Sequence, residues 1–128
     1  MGSLRVLIIE EELIISEYLL FSLQEKGYEV VGTPCSIDEA LREFAGATPD
    51  IVILDAQMQE QPDMIEAART IRREFHMDIP IVFLTTIPLK DLKTGQHTLC
   101  VSKPFSEQQL YAAIESALDH RGGSQNEI

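Results

Sequence analysis

Residues 50–55 read Asp-Ile-Val-Ile-Leu-Asp, an apolar run closed by a carboxylate. Three other apolar runs also end in polar groups: residues 6–9 in three glutamates, residues 79–84 in two threonines, and residues 99–101 in a serine and Lys103. Short apolar runs separated by helical patterns are typical of the buried strands of a parallel sheet. Because ligands bind at the carboxyl ends of such strands, we expect these polar groups to meet at one edge.

Predicted strands and helices alternate along the chain. The strands are expected at residues 5–9, 28–31, 50–54, 79–84 and 99–102, and the first helix at 12–26. Capping pairs predict three later helix starts: Ser36 with Glu39, Asp63 with Glu66, and Ser106 with Gln109. Residues 86–98 leave room only for a short or mobile fourth helix. Right-handed crossovers favour an α/β, doubly wound, five-stranded parallel sheet in the order 2-1-3-4-5, with helices on both faces.

Size and composition limit the possible functions. The 128 residues suit one domain, expected at 4–120, followed by a flexible tail at 121–128. A net charge of −11 argues against direct nucleic-acid binding, which needs a basic surface. No apolar stretch is long enough to span a membrane, and no signal peptide is visible. Cys35 and Cys100 are expected to be buried, reduced thiols, and the protein is expected to be cytoplasmic.

The acidic residues at the expected sheet edge predict cation binding. Glu10, Glu11 and Asp55 would repel one another, so that without a partner at least one should have a raised pKa. A divalent cation removes that repulsion, and carboxylate oxygens are preferred ligands of Mg²⁺. Asp55 would then offer a nucleophilic oxygen to a phosphoryl group. The glutamates could instead be the charged first turn of a helix, and Asp55 a simple strand cap.

Two further polar residues fit the same chemistry. Thr85 could donate a hydrogen bond to a phosphoryl oxygen, although threonine is also an ordinary strand residue. Lys103 could pair with Asp55 at rest and later with an added phosphate, or could be a solvated lysine at a strand end. Pro104 after it could fix a tight turn through a cis peptide bond.

Five of these stretches, in this order, resemble the signature segments of response-regulator receiver domains. They are the acidic opening at 6–13, the phosphoacceptor strand at 50–55, the start of the third helix at 63–69, and the segments at 79–85 and 101–105. The resemblance covers about residues 4–119. It implies a flavodoxin-like fold, Mg²⁺ binding, and transfer of a phosphoryl group from the phosphohistidine of a histidine kinase to Asp55.

The family's pattern also assigns roles to single residues. It implies four metal ligands: Glu10, Glu11, Asp55 and Gln57, the last through its backbone carbonyl. Thr85 and Lys103 are implied to hold the phosphoryl oxygens and to relay the change to the face of the fourth helix, fifth strand and last helix. The implied partners are a histidine kinase or phosphotransfer protein and a downstream effector, and a homodimer is left open. The protein is expected not to be an enzyme, although it assists its own phosphorylation and dephosphorylation.

Four features depart from this pattern. Glu11 stands where the family usually has Asp, so we expect the metal to shift or to bind more weakly. Met64 stands where Gly is usual. Cys100 replaces the switch aromatic three residues before the lysine, so a conventional aromatic swing cannot operate. The segment between Thr85 and Lys103 is short.

Two other functions therefore stay open. Glu11, Cys100 and the short fourth helix favour a pseudo-receiver, a binding module that is not switched by phosphorylation. Asp55, Thr85 and Lys103 favour a phosphorylatable receiver. A small phosphatase with an Asp nucleophile would usually carry a second Asp two residues later, where this chain has Gln57. No output domain is visible after residue 121, so we expect output through a bound partner.

Overall fold

The structure, a computed structural model, describes residues 3–58, 63–86 and 98–122. The strands in these ranges are β1 (Arg5–Ile9), β2 (Glu29–Gly32), β3 (Ile51–Asp55), β4 (Ile81–Thr85) and β5 (Thr98–Ser102). The helices are α1 (Leu13–Lys26), α2 (Ile37–Phe44), α3 (Met64–Glu74) and α4 (Glu107–Gly122). The predicted strands are confirmed, with ends that shift by at most two residues. A short 3₁₀ turn at Ala45–Ala47 was not predicted.

Two predictions concern residues that lie wholly or partly outside the described ranges. The short or mobile fourth helix expected within residues 86–98 lies almost entirely at 87–97, outside the described ranges. Most of the expected tail, residues 123–128, is also outside them, and α4 continues to Gly122.

The five strands form one sheet in the order β2-β1-β3-β4-β5, and every neighbouring pair is parallel. This confirms the predicted topology. At the carboxyl edge, Asp55 of β3 pairs with Leu84 of β4, and Thr85 of β4 pairs with Ser102 of β5. The register therefore brings the ends of the central strands, and the residues that follow them, to one edge of the sheet.

Helices cover both faces of the sheet, as predicted. On one face, α1 and α4 bury an apolar stripe against the sheet, including Leu19, Leu23 and Ile114. On the other face, α2 and α3 do so with Ala40 and Ile71 among others. The strands β1, β3 and β4 are buried almost throughout, because side chains on both of their faces meet a helix layer. Burial on both faces fixes the backbone of the strands that end at the polar edge.

Side-chain caps set the helix starts. The hydroxyl of Ser36 and the carboxylate of Asp63 accept hydrogen bonds from the backbone N–H groups of Glu39 and Glu66. At the start of α4, Ser106 and Gln109 form the reciprocal pair of a capping box. The three predicted helix starts are confirmed.

The cysteines are only partly as predicted. Both are free thiols, but Cys35 is exposed, so its predicted burial was wrong. It lies in the segment between β2 and α2. Cys100 lies on the edge strand β5, is half-buried, and has a pKa raised by burial to about 11. Among the described helices, none combines the length and the hydropathy that a membrane crossing requires.

Candidate functional site

The carboxyl edge of the sheet holds two buried carboxylates. Glu10 directly follows β1 and is 2% exposed, and Asp55 is the last residue of β3 and is 4% exposed. Backbone N–H groups hold both side chains in place. The N–H of Gln57 donates to Oδ1 of Asp55 at 3.0 Å, and that of Glu12 donates to Oε2 of Glu10 at 3.1 Å.

Lys103 lies between these carboxylates. Its Nζ is 3.4 Å from Oδ1 of Asp55 and 3.7 Å from Oε1 of Glu10. The lysine follows β5 directly, and its backbone N–H donates to the carbonyl of Thr85 at 2.7 Å. The peptide bond between Lys103 and Pro104 is cis, as the sequence suggested. A positive charge thus sits between two negative ones, and the predicted pairing of Lys103 with Asp55 at rest is present.

Glu10 is the group whose ionisation this arrangement most disfavours. Burial, opposed by the hydrogen bond from the Glu12 N–H and reinforced by nearby Asp55, raises the pKa of Glu10 from 4.5 to about 7. Lys103 acts in the opposite direction but does not cancel the effect. The predicted raised pKa of one carboxyl group is confirmed for Glu10, but its largest cause is burial and not the repulsion on which the prediction was based.

The two threonines after β4 differ in position. Thr85, the predicted hydrogen-bond donor to a phosphoryl oxygen, is fully buried at the last position of the strand. Thr86 is exposed and lines the open cavity above Asp55, together with Gln57. The side-chain oxygen of Gln57 accepts hydrogen bonds from both the backbone N–H and the hydroxyl of Thr86, at 2.8 and 2.9 Å.

The cavity at this edge has a volume of about 390 Å³. Its lining consists of Glu11, Glu12, Asp55, Gln57, Thr86 and Lys103. Glu11 is exposed, unlike Glu10, and so faces the cavity from the solvent side. Half of the described lining residues carry a carboxylate, and Lys103 adds an ammonium group.

The residues here match a hard cation in their chemistry. Among the described residues, Oε1 of Glu10 accepts no hydrogen bond although it is buried. Carboxylate and carbonyl oxygens, the predicted donor set, are the ligands that Mg²⁺ prefers. Within the described part of the chain, however, no three His, Cys, Asp or Glu side chains are already gathered around one point. The donor set therefore fits the ion in its chemistry, although these side chains do not form an assembled ligand cluster.

The structure brings together most of the residues singled out from the sequence. Glu10, Asp55 and Lys103 are in mutual contact, and Glu11 and Gln57 border the same cavity. Thr85 adjoins the site through its backbone, whereas Thr86 was missed. The second threonine of the pair was visible in the sequence, but strand alternation alone could not show that it would line the cavity.

Several known proteins resemble this chain in sequence and in fold. The sequence pattern of the response regulator receiver domain matches residues 6–115. The transcriptional regulatory protein PdtaR of Mycobacterium tuberculosis is 37% identical over 118 residues, which cover 89% of this chain and 56% of PdtaR. The solution structure of the PhyR receiver domain from Erythrobacter litoralis is 33% identical, with a TM-score of 0.77, and the match covers 93% of this chain and 92% of that one.

A further solved structure of similar fold contains a bound metal. The receiver domain of the sensor histidine kinase PA1611 from Pseudomonas aeruginosa has a TM-score of 0.76 and 22% identity, over 92% of this chain and 99% of that one. Its structure contains a magnesium ion in the active site cleft, and its likeness to this chain shows the fold alone.

The chain spans about half the length of the curated relatives it matches. The family match nevertheless extends over most of the 128 residues and over all five strands. The parallel order β2-β1-β3-β4-β5 and the acidic edge at Asp55 agree with it. This chain therefore belongs to the response regulator receiver domains of two-component systems.

Proposed function

We propose that Asp55 accepts a phosphoryl group from the phosphohistidine of a histidine kinase or a phosphotransfer protein. A carboxylate oxygen of Asp55 would form a bond to phosphorus while the phosphorus–nitrogen bond of the donor breaks, and the electron pair stays on the imidazole. The observation that carries this proposal is the contact of Asp55 with Lys103 at 3.4 Å, at the floor of an open cavity. The ammonium group is placed to neutralise charge that is brought to Asp55.

Mg²⁺ bound beside Asp55 would supply charge neutralisation for the phosphoryl oxygens. Glu10, Glu11, Asp55 and the backbone carbonyl of Gln57 are the proposed ligands. Burial and repulsion by Asp55 disfavour the ionised form of Glu10 in the metal-free protein. A cation bound beside Glu10 would stabilise that ionised form. In this proposal the domain is a phosphoacceptor that promotes its own phosphorylation and dephosphorylation and not an enzyme with a separate substrate. The cytoplasmic location of the protein and its lack of direct nucleic-acid binding remain predictions.

The nucleophile is tested by substitution. Incubation with acetyl phosphate and Mg²⁺ should add one phosphoryl group per chain, detected by intact-mass spectrometry, and Asp55→Asn should abolish it. The matched control is Asp38→Asn on the exposed surface of α2, which should label like wild type. Persistent labelling of Asp55→Asn, or loss of labelling in Asp38→Asn alone, would contradict the assignment of Asp55.

An apolar surface beside the cavity favours a protein as the phosphoryl donor. Leu13, Ile14 and Phe21 on α1 are 71%, 83% and 63% exposed. An apolar groove of about 470 Å³ runs between α1 and the segment after β5, and it shares Thr86 and Lys103 with the phosphoacceptor cavity. Exposed apolar side chains clustered in this way mark contact surfaces. A donor protein that reaches Asp55 from this side would cover them.

This part of the proposal separates protein donors from small ones. Ile14→Asp should slow phosphotransfer from a purified histidine kinase that labels the wild type, by on the order of ten-fold, because it places a charge in an apolar contact. Labelling by acetyl phosphate should not change, and the exposed neighbour Glu17→Gln serves as the control. Equal slowing with both donors would show that the substitution damages the site itself and not a docking surface.

The alternative, a pseudo-receiver, is favoured by a specific observation. Lys103 already contacts both Glu10 and Asp55, where it can compete with a metal ion, and Glu11 is exposed. The melting temperature against Mg²⁺ concentration, with and without beryllofluoride, discriminates the two functions, because a ligand that binds only the folded state raises stability as RT ln(1 + [L]/Kd). A rise favours the phosphorylatable receiver, and flat curves favour the pseudo-receiver. Glu11→Asp should tighten Mg²⁺ binding if Glu11 is a ligand.

A further inference from the structure

Gln57 spans the phosphoacceptor cavity in the resting protein. Its backbone N–H donates to Oδ1 of Asp55, and its side-chain oxygen accepts two hydrogen bonds from Thr86. One of these donors is a backbone N–H, which can only donate, so the atom that meets it must be the amide oxygen of Gln57 and not its nitrogen. One residue thus links the end of β3 to the first residue after β4.

A phosphoryl group on Asp55 would need the same donors. It brings a dianion with three acceptor oxygens, whereas Glu11 and Glu12 in the cavity wall are acceptors themselves when ionised. Among the described groups that line the cavity, hydrogen-bond donors come from Lys103, from the N–H and hydroxyl of Thr86, and from the side-chain NH₂ of Gln57 itself. Both donors of Thr86 are engaged by the oxygen of Gln57.

We propose that the side-chain oxygen of Gln57 acts as an internal stand-in for a phosphoryl oxygen, which holds the donors of Thr86 until a tetrahedral anion on Asp55 displaces it. This inference rests on the proposed phosphorylation of Asp55 and adds a regulatory contact to it. Displacement frees the residue that leads directly out of β4. Gln57 therefore lowers the affinity of the cavity for the anion. Binding of the anion in turn breaks the hydrogen bonds between Gln57 and Thr86.

The size of the effect follows from the two bonds. Both are exposed to solvent, so each contributes at the low end of the usual range for a hydrogen bond. Removing the competing acceptor should tighten anion binding by on the order of five-fold. The backbone carbonyl of Gln57, a proposed metal ligand, is kept in every side-chain variant.

The experiment titrates beryllofluoride, with Mg²⁺ at a fixed saturating concentration, into wild type and variants and follows the melting temperature. Gln57→Met keeps the length of the side chain without the amide oxygen and should bind on the order of five-fold more tightly. Gln57→Glu, with a charged acceptor, should bind more weakly than wild type. Gln24→Met, at an exposed position of α1 away from the cavity, is the matched control and should bind like wild type.

A second readout needs no anion. In the free protein, amide hydrogen exchange at Thr86 should be slowed in wild type and should accelerate in Gln57→Met, because the acceptor is lost. The stand-in role would be overturned if Gln57→Met bound beryllofluoride only as tightly as wild type or more weakly. It would also be overturned if amide exchange at Thr86 were the same in both proteins. Absence of beryllofluoride binding in wild type and in both Gln57 variants would instead overturn the proposed phosphorylation and this inference with it.

Discussion

The most quantitative prediction concerns the pH dependence of stability. Glu10 has a pKa of about 7 in the folded protein, against 4.5 for an ordinary glutamate. Between these values the folded state binds more protons than the unfolded state, so the free energy of unfolding falls as the pH rises. The contribution of neutral Glu10 is present at low pH and is lost as the pH passes through 7. Between about pH 5 and about pH 8 the expected loss is about 2–3 kcal/mol.

The perturbation that isolates this effect is Glu10→Gln. The amide resembles the protonated carboxyl group, and its oxygen can still accept the hydrogen bond from the N–H of Glu12. Urea unfolding should be measured at about pH 5 and about pH 8, with EDTA present to remove divalent cations. Between these two pH values wild type should lose about 2–3 kcal/mol more than Glu10→Gln, and at the higher pH the variant should be the more stable protein.

The control is Glu17→Gln, an exposed glutamate on α1, which should follow the wild-type profile. Equal losses for wild type and Glu10→Gln would show that burial beside Asp55 does not disfavour the carboxylate, and the electrostatic account of the site would be wrong. Mg²⁺ in place of EDTA should flatten the wild-type profile, because a cation favours ionised Glu10 in the proposed site.

Three further predictions test the fold around the site. Gly32→Ala should destabilise the protein by about 1–3 kcal/mol in urea unfolding, because an added Cβ overlaps the ring of Phe44, and Phe44→Leu in the same chain should recover part of the loss. Ser36→Ala should cost about 1 kcal/mol through the lost cap of α2, and unchanged stability would contradict the role of that hydroxyl. Cys100, with its pKa of about 11, should react with a thiol reagent at about pH 8 on the order of 100-fold more slowly than an ordinary exposed cysteine, and equally fast reaction would argue against its burial.

The architecture could be predicted because each of its determinants is local. The run at residues 51–54 is apolar on both faces, which separates a central parallel strand from the alternating pattern of a surface strand. The helix starts followed from the hydroxyl or carboxylate caps at Ser36, Asp63 and Ser106. The 3₁₀ turn at Ala45–Ala47 could not be predicted, since its small residues carry no capping or periodic signal.

The site was harder to predict, because its details depend on contacts between distant parts of the chain. That Glu10, Asp55 and Lys103 meet follows from their positions at three strand ends. Which threonine faces the cavity depends on how the chain leaves β4, and the hydrogen bonds of Thr86 join it to Gln57, 29 residues away. The exposure of Cys35 likewise depends on the path between β2 and α2, for which residue type is a poor guide.

The two ends of β1 show how the fold separates stability from function. At the amino end, the guanidinium group of Arg5 donates to the carbonyls of Ala47 and Thr48, and its backbone N–H donates to Asp50. These groups are matched in charge and hydrogen bonding. At the carboxyl end, Glu10 is buried beside a second carboxylate, and its Oε1 accepts no hydrogen bond among the described residues. The strand therefore begins at a residue whose polar groups are hydrogen-bonded. It ends beside a buried carboxylate whose ionised form is unfavourable and which a bound cation can stabilise.

This contrast predicts opposite signs for two substitutions on one strand. Arg5→Met should lower the free energy of unfolding by on the order of 1 kcal/mol, mainly through the lost backbone contacts, since its exposed pairing with Glu29 adds little. Labelling of Asp55 by acetyl phosphate should survive it. Glu10→Gln should raise stability above neutral pH and weaken Mg²⁺-dependent labelling. If both variants lost stability at about pH 8, the carboxyl edge would be an ordinary part of the core, because Glu10→Gln is expected to stabilise the fold by removing a carboxylate that is disfavoured first by burial and then by nearby Asp55.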